Sequence, residues 1–78
     1  MTLEEQVMEK IAEALGVPRA EIGPDTQAQD VEAWDSMGTM SILFALTSDF
    51  GVTLDANETG KLQSVPSILE LVRGTMGS

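Results

Sequence analysis

Chemistry in this chain centres on one serine, in the tripeptide Asp35-Ser36-Met37 at the start of a long apolar stretch. Aspartate is a typical helix N-cap, so Ser36 is predicted to lie in the first turn of a helix. Unpaired backbone N–H groups and the positive end of the helix dipole make that position suitable for an attached phosphate. The tripeptide alone also fits a plain helix start, in which Asp35 caps and Ser36 merely follows.

The rest of the composition offers little for catalysis. Histidine and cysteine are absent, which removes the commonest general base and the thiolate nucleophile. Scattered acids such as Asp25 and Asp30 form no catalytic cluster and do not match a calcium loop. We therefore expect no catalytic residues, no metal site and no enzymatic activity.

Charge and hydropathy restrict the partners. Thirteen acidic residues against four basic ones give a formal net charge of −9, which would repel nucleic acid. The charge either steers the chain towards basic patches on larger proteins or simply keeps it soluble. We expect no membrane span, because no apolar run is long enough. Since residues 1–5 do not resemble a signal peptide and a cysteine-free chain suits a reducing compartment, we expect a cytoplasmic location. We also expect the chain to be a monomer.

The chain is predicted to be all-α and to form a single domain over residues 1–78. Apolar periodicity, caps and breakers place the helices at about 3–15, 36–50, 56–61 and 65–73. The long loop between the first two helices contains isolated apolar residues that we expect to pack across the helix ends. The third helix is short and weakened by Thr59 and Gly60, and residues 74–78 are expected to be a frayed tail.

Caps support the first and last helices. Thr2 and Glu5 form a capping-box pattern, and apolar residues then recur every four positions. Gly16 is predicted to end the first helix, because glycine readily adopts the left-handed backbone conformation that is common at helix C-termini. Ser64 is predicted to cap the last helix, where Pro66 is tolerated in the first turn.

Two apolar faces are predicted on the second helix. When successive side chains are placed roughly 100° apart around the helix axis, the apolar ones fall into two separate arcs. One arc forms the core face, and the other lies beside Ser36. The core face contains Ile42, Leu43, Leu46 and Phe50, and the other arc contains Met37, Met40 and Phe44. The second arc suits an adaptable docking surface, unless the long loop covers it.

Two further residues near Ser36 are unusual. Gly38 is unfavourable inside a helix, and we expect it to permit the close approach of another chain. Trp34 is interpreted as a lid over the first turn of the second helix, with a role at a partner surface as the alternative.

The order of these elements resembles the acyl carrier protein family, a four-helix bundle with a long first loop and a short third helix. The similarity extends from Leu3 to Gly74. It rests on Leu15-Gly16-Val17, on Asp35-Ser36-Met37 in place of the family's Asp-Ser-Leu, on Phe50, and on Lys61-Leu62 before Ser64-Val65.

The resemblance implies that Ser36 bears 4′-phosphopantetheine, which makes the chain a phosphoprotein, and that Asp35 is its partner in the motif. The thiol of that group would carry acyl or aminoacyl intermediates as thioesters between biosynthetic enzymes. The implied partners are a phosphopantetheinyl transferase, an acyl- or aminoacyl-loading ligase and other enzymes of the pathway.

Departures from the family affect the predicted docking. Members that serve fatty acid synthesis have acids along the second helix, whereas this chain has Ser41, Thr47 and Ser48, with only Asp49 acidic. The Trp-Asp-Ser-Met form resembles stand-alone carriers of specialised pathways. We therefore predict docking that depends more on apolar contact than on charge. The predicted partner-binding residues are Met37, Met40, Phe44, Ser41 and Gly38. The sequence does not decide whether the carried group is a fatty acyl, an unusual acyl or an aminoacyl group.

One alternative belongs to another functional class. The chain could be an unmodified helical interaction module that binds a partner helix or groove through Met37, Met40 and Phe44. Intact mass after coexpression with a phosphopantetheinyl transferase distinguishes the two hypotheses.

Overall fold

Helices dominate the structure, a computed structural model that describes residues 2–54 and 56–76. The α-helices are α1 (Leu3–Leu15), α2 (Ser36–Phe50) and α3 (Val65–Met76). Two short 3₁₀ helices, Arg19–Glu21 and Ala28–Asp30, lie in the long loop, and a longer one, Ala56–Leu62, precedes α3. In the described ranges, pairing of the β type is limited to one isolated bridge between Gln27 and Ser64. The predicted all-α class is confirmed.

Local sequence signals account for the ends of α1. The Thr2 hydroxyl accepts the Glu5 backbone N–H at 3.1 Å, and the Glu5 carboxylate accepts the Thr2 N–H at 3.3 Å. Gly16 ends the helix with φ of 70°, a left-handed conformation that glycine adopts without strain. α1 and α2 have the bounds that the sequence predicts.

The third and last helices differ from expectation. Ala56–Leu62 is a 3₁₀ helix, because Thr59 and Gly60 are poor α-helix formers and the segment is short. α3 continues to Met76, so Gly74 belongs to a helix and not to a frayed tail. A glycine costs only about 1 kcal/mol inside a helix, which is too little to end one without a competing cap. The predicted tail residues 77 and 78 lie outside the described part of the chain.

All three α-helices contribute to one core, with the long loop packed across it. Its apolar members are Val7, Met8, Ile11, Ala12, Ile22, Val31, Trp34, Ile42, Leu46, Val52, Leu62, Val65, Ile68, Leu69 and Val72. Backbone hydrogen bonds fix the loop to the start of α3, from Ala28 N–H to Gln63 O at 2.7 Å and from Val65 N–H to Thr26 O at 2.9 Å. The predicted core face of α2 is confirmed, since Ile42 and Leu46 are fully buried and Leu43 and Phe50 are partly buried against the core.

The helices of residues 2–54 and 56–76 are short or carry polar residues along their length. None of them combines the length and the apolar character needed to cross a bilayer.

Candidate functional site

Ser36 is the first residue of α2, and its side chain is exposed to solvent. The preceding Asp35 caps the helix, with its Oδ1 accepting the Gly38 N–H at 2.8 Å. The Asp35 carbonyl oxygen accepts both the N–H of Thr39, at 2.8 Å, and its hydroxyl, at 2.9 Å. These bonds hold the first turn of α2 in one conformation, so the Ser36 hydroxyl is presented at a fixed and accessible position.

Gly38 has a different role from the one predicted. The residue is buried, and a Cβ atom there would lie 2.7 Å from Leu15 Cδ2 and closer still to the backbone oxygen of Ala33. The close approach that Gly38 permits is therefore between parts of this chain, not with a partner. Its assignment to the partner-binding surface was wrong, because a helix that starts beneath a loop and beside α1 has a covered face at that position.

Trp34 is part of the protein interior. Only 4% of its surface is exposed, and its indole N–H donates to the carbonyl oxygen of Leu62 at 3.1 Å. The alternative of a partner-surface role for this tryptophan is wrong, because a partner cannot reach a side chain that is enclosed and hydrogen-bonded internally.

Beside Ser36 lies an open groove of about 480 Å³. Its lining residues come from the start of α2 and from the segment before α3, and they are Trp34, Asp35, Ser36, Thr39, Met40, Thr59 and Gln63. Gln63 Nε2 donates to Thr39 Oγ1 at 3.4 Å across the groove. None of the described lining residues is basic.

Three of the groove residues were missed by the sequence analysis. Thr39 could have been found, because it follows Ser36 by three positions and so shares its side of the helix. Thr59 and Gln63 come from a distant segment, and no periodic signal links them to Ser36.

Next to the groove is an exposed apolar patch, formed by Met37, Met40 and Phe44. Their exposed fractions are 81%, 42% and 69%. The predicted exposure of this second face of α2 is confirmed, and the alternative that the loop covers it is wrong. Because Met40 also lines the groove, the apolar patch is continuous with the surroundings of Ser36.

Ser41 is exposed on the side of α2 that faces α1. It lines a second groove together with Lys10 and Asp49. The Lys10 ammonium donates to the Asp49 carboxylate at 2.9 Å, and this hydrogen bond is the main cause that raises the pKa of Lys10 above its ordinary value. The single acid of α2 is thus already paired with a cation of α1.

The surroundings of Ser36 fit a phosphate-linked prosthetic group. A phosphate ester on the hydroxyl would lie at the first turn of α2, where backbone N–H groups and the helix dipole favour negative charge. The adjacent groove has room for part of a flexible arm, and the Thr39 hydroxyl and the Gln63 amide can form hydrogen bonds with amide groups.

Comparison with known proteins gives matches over almost the whole chain. Residues 5–73 match the family described as the phosphopantetheine attachment site. The acyl carrier protein of Solidesulfovibrio magneticus is 34% identical over 77 aligned residues, covering 95% of this chain and 99% of that protein. The hypothesis of an unmodified interaction module receives no support from either match.

Proposed function

Since the chain belongs to the acyl carrier protein family, defined by its phosphopantetheine attachment site, we propose that Ser36 is the residue that holds the prosthetic group. Proteins of this family are carriers rather than catalysts. They hold 4′-phosphopantetheine covalently and transport acyl groups as thioesters, and this chain has that function. The thiol chemistry belongs to the prosthetic group, so the protein itself needs no nucleophile.

One observation carries the assignment to Ser36. It is an exposed hydroxyl at the first residue of α2, beside the capping carboxylate of Asp35 and inside the matched range 5–73. Ser41 and Ser48 are also exposed on this helix, but both lie beyond its first turn, where the N–H groups are used within the helix. Ser36 is therefore the favoured acceptor on this helix.

Attachment requires a phosphopantetheinyl transferase and coenzyme A as the donor. The Ser36 Oγ forms a bond to the phosphorus of the phosphopantetheine part, and the bond from that phosphorus to the rest of coenzyme A breaks. The hydroxyl proton passes to a base of the transferase, because no described side chain donates to or accepts from Ser36 Oγ. The contribution of this chain is to keep the Ser36 hydroxyl exposed to solvent, where the transferase can reach it.

The apolar patch is the proposed docking surface for this transferase, for an acyl- or aminoacyl-loading ligase and for later enzymes of the pathway. Met37 and Phe44 are mostly exposed, and Met40 joins them to the groove at Ser36. Ser41 extends the surface towards α1. Because Asp49 is paired with Lys10, α2 offers partners apolar contact in preference to charge.

Replacement of the proposed acceptor tests the assignment. After incubation with coenzyme A and a promiscuous phosphopantetheinyl transferase, the wild type should gain the mass of one phosphopantetheine group. Ser36→Ala should gain nothing, since it lacks the attacking oxygen, and circular dichroism should show that it folds. Ser41→Ala is the matched control and should be modified like the wild type. A modified Ser36→Ala protein, or an unmodified wild type, contradicts the proposal.

A further inference from the structure

Sulfur in this chain belongs to methionine alone. The sequence has five methionines and no cysteine, so the thioether is the side-chain group that a mild oxidant such as hydrogen peroxide attacks. The structure describes the surroundings of three of these side chains, Met8, Met37 and Met40. They lie in two very different environments, which gives them different susceptibility to oxidation.

Met37 and Met40 expose their side chains to solvent beside Ser36. Met37 directly follows Ser36 and is 81% exposed. Met40 is 42% exposed and also lines the groove at Ser36. A peroxide in solution therefore reaches both side chains without any opening of the fold.

Met8 is protected by the fold. Its side chain belongs to the core, with 5% of its surface exposed, and its sulfur accepts a hydrogen bond from Arg19 Nη2 at 3.6 Å. A peroxide reaches this sulfur only when the structure opens, and an oxygen atom added there would have to be placed among apolar side chains. Among the three described methionines, oxidation therefore begins at the surface and spares the core.

We propose that Met37 and Met40 form a reversible oxidation site, at which conversion to methionine sulfoxide switches off the docking of partner enzymes while the fold stays intact. The inference rests on the proposed use of the apolar patch as the docking surface. It adds to that function a condition, which is that the carrier is loaded only while these two thioethers are reduced.

The chemistry of the step is a two-electron oxygen transfer. The methionine sulfur donates an electron pair to one oxygen of hydrogen peroxide, the O–O bond breaks, and the other oxygen leaves as water with both hydrogens. The sulfur is oxidised by two electrons and the peroxide is reduced by two. In the reverse direction a thiol-dependent reductase removes the oxygen as water, and two of its thiols are oxidised to a disulfide.

A sulfoxide changes what the apolar patch can bind. It is a polar group with a hydrogen-bond acceptor where the thioether was apolar, and such a change disrupts methionine-rich interfaces. When a partner surface offers no donor to the new oxygen, we expect kcat/KM of loading to fall by about tenfold for each sulfoxide that is buried. In the free protein both side chains face solvent, so the same oxygen stays hydrated and the fold does not change.

Peptide mapping by mass spectrometry tests the order of oxidation. The protein without its arm is treated with dilute hydrogen peroxide, so that no thiol competes for the oxidant. Met37 should be oxidised first, Met40 next and Met8 last, and circular dichroism should show an intact fold while Met8 is still reduced. In urea above the unfolding midpoint the three should react at similar rates. Oxidation of Met8 as fast as Met37 in the folded protein contradicts the proposal.

The rate of arm attachment at Ser36 tests the effect on docking. Each protein is compared with itself before and after peroxide treatment, once catalase has removed the oxidant. In the wild type, kcat/KM of the transferase should fall by about tenfold or more. Methionine sulfoxide reductases for both sulfoxide epimers, supplied with a thiol reductant, should restore it.

Leucine variants assign the loss to particular sulfur atoms. The double variant Met37→Leu, Met40→Leu keeps apolar side chains that peroxide does not oxidise, so its rate should be the same before and after treatment, whatever that rate is. Met8→Leu is the matched control and should lose as much of its rate as the wild type. The remaining methionines are unchanged in both proteins.

The possible failures are distinguishable. Loading of the oxidised wild type at its original rate, or an equal loss in the double leucine variant, overturns the oxidation site. If Met40→Asp slows loading and the sulfoxides do not, only this inference is refuted. If neither change slows loading, the apolar patch is not the docking surface either. A wild type that never accepts the arm refutes the proposed attachment at Ser36.

Discussion

At the scale of the residue, the position of Ser36 depends on Gly38, a residue without a side chain that follows it by two positions. Gly38 lets the first turn of α2 lie against the Ala33 carbonyl and the Leu15 side chain. A glycine in a helix lowers stability through its flexibility. Its presence here is explained by the contact, which gives the turn that bears Ser36 its fixed place.

Gly38→Ala should lower the free energy of unfolding by about 1–3 kcal/mol, because the new methyl group overlaps backbone that cannot move cheaply. Gly74→Ala is the matched control. Gly74 is also helical and exposed, and a methyl group added there would meet no neighbouring atom within 4 Å, so alanine should stabilise by up to about 1 kcal/mol. Urea titrations measure both. Equal effects of the two substitutions would mean that helix propensity, and not crowding, decides the outcome at residue 38.

At the scale of the element, α2 has two apolar faces with different uses. One face is buried through Ile42 and Leu46, and the other exposes the apolar patch. A helix of this kind has apolar residues almost all round, which in a small domain is normally a sign of full burial. The structure instead leaves one face for a partner.

Leu46 tests the buried face. It is fully buried, so Leu46→Ala should cost about 2–5 kcal/mol through lost burial and the cavity that remains. Urea denaturation followed by circular dichroism gives the difference. A loss well below about 1 kcal/mol would require the surrounding helices to close the cavity, which close packing in the core does not permit.

Met40 tests the exposed face. Met40→Asp should leave the fold intact and lower kcat/KM of the transferase by about tenfold or more, since a buried apolar side chain contributes roughly 1.5–3 kcal/mol at an interface. Thr53→Asp adds the same charge at an exposed position outside α2 and should have little effect. The loading rate is followed by intact mass. Equal rates for the two variants would place recognition away from the apolar patch.

Sequence patterns predicted those elements that depend on near neighbours. The capping box of Thr2 and Glu5, the left-handed Gly16 and the cap Asp35 gave the bounds of α1 and α2. Periodicity separated the two faces of α2. The approach of Gly38 to Leu15 and the hydrogen bond from Gln63 to Thr39 could not be predicted, because each joins segments that are far apart in the chain.

At the scale of the whole molecule, charge is the dominant property. Of the four basic residues in the chain, Lys10, Lys61 and Arg73 take part in ion pairs with nearby acids. The thirteen acidic residues outnumber the four basic ones about three to one, so the folded chain keeps a large excess of negative charge. Self-repulsion of this kind opposes compactness and is screened by salt.

Added sodium chloride should accordingly raise the stability of the protein. The urea midpoint should increase between low ionic strength and about 0.5 M salt, because screening acts more on the net repulsion than on a few exposed ion pairs. Urea is chosen because guanidinium chloride is itself a salt. Glu32→Gln, which removes one exposed negative charge, should reduce the salt effect. A midpoint that falls with salt would mean that the ion pairs outweigh the repulsion.

Trp34 gives the molecule a built-in optical reporter. The sequence has one tryptophan and no tyrosine, so its near-ultraviolet fluorescence comes from a single indole. That indole is enclosed in the core and touches the groove beside Ser36. Unfolding shifts its emission to longer wavelength, and a group resting in the groove shields it from a quencher such as acrylamide. Folding and cargo placement can therefore be followed in the same unlabelled sample.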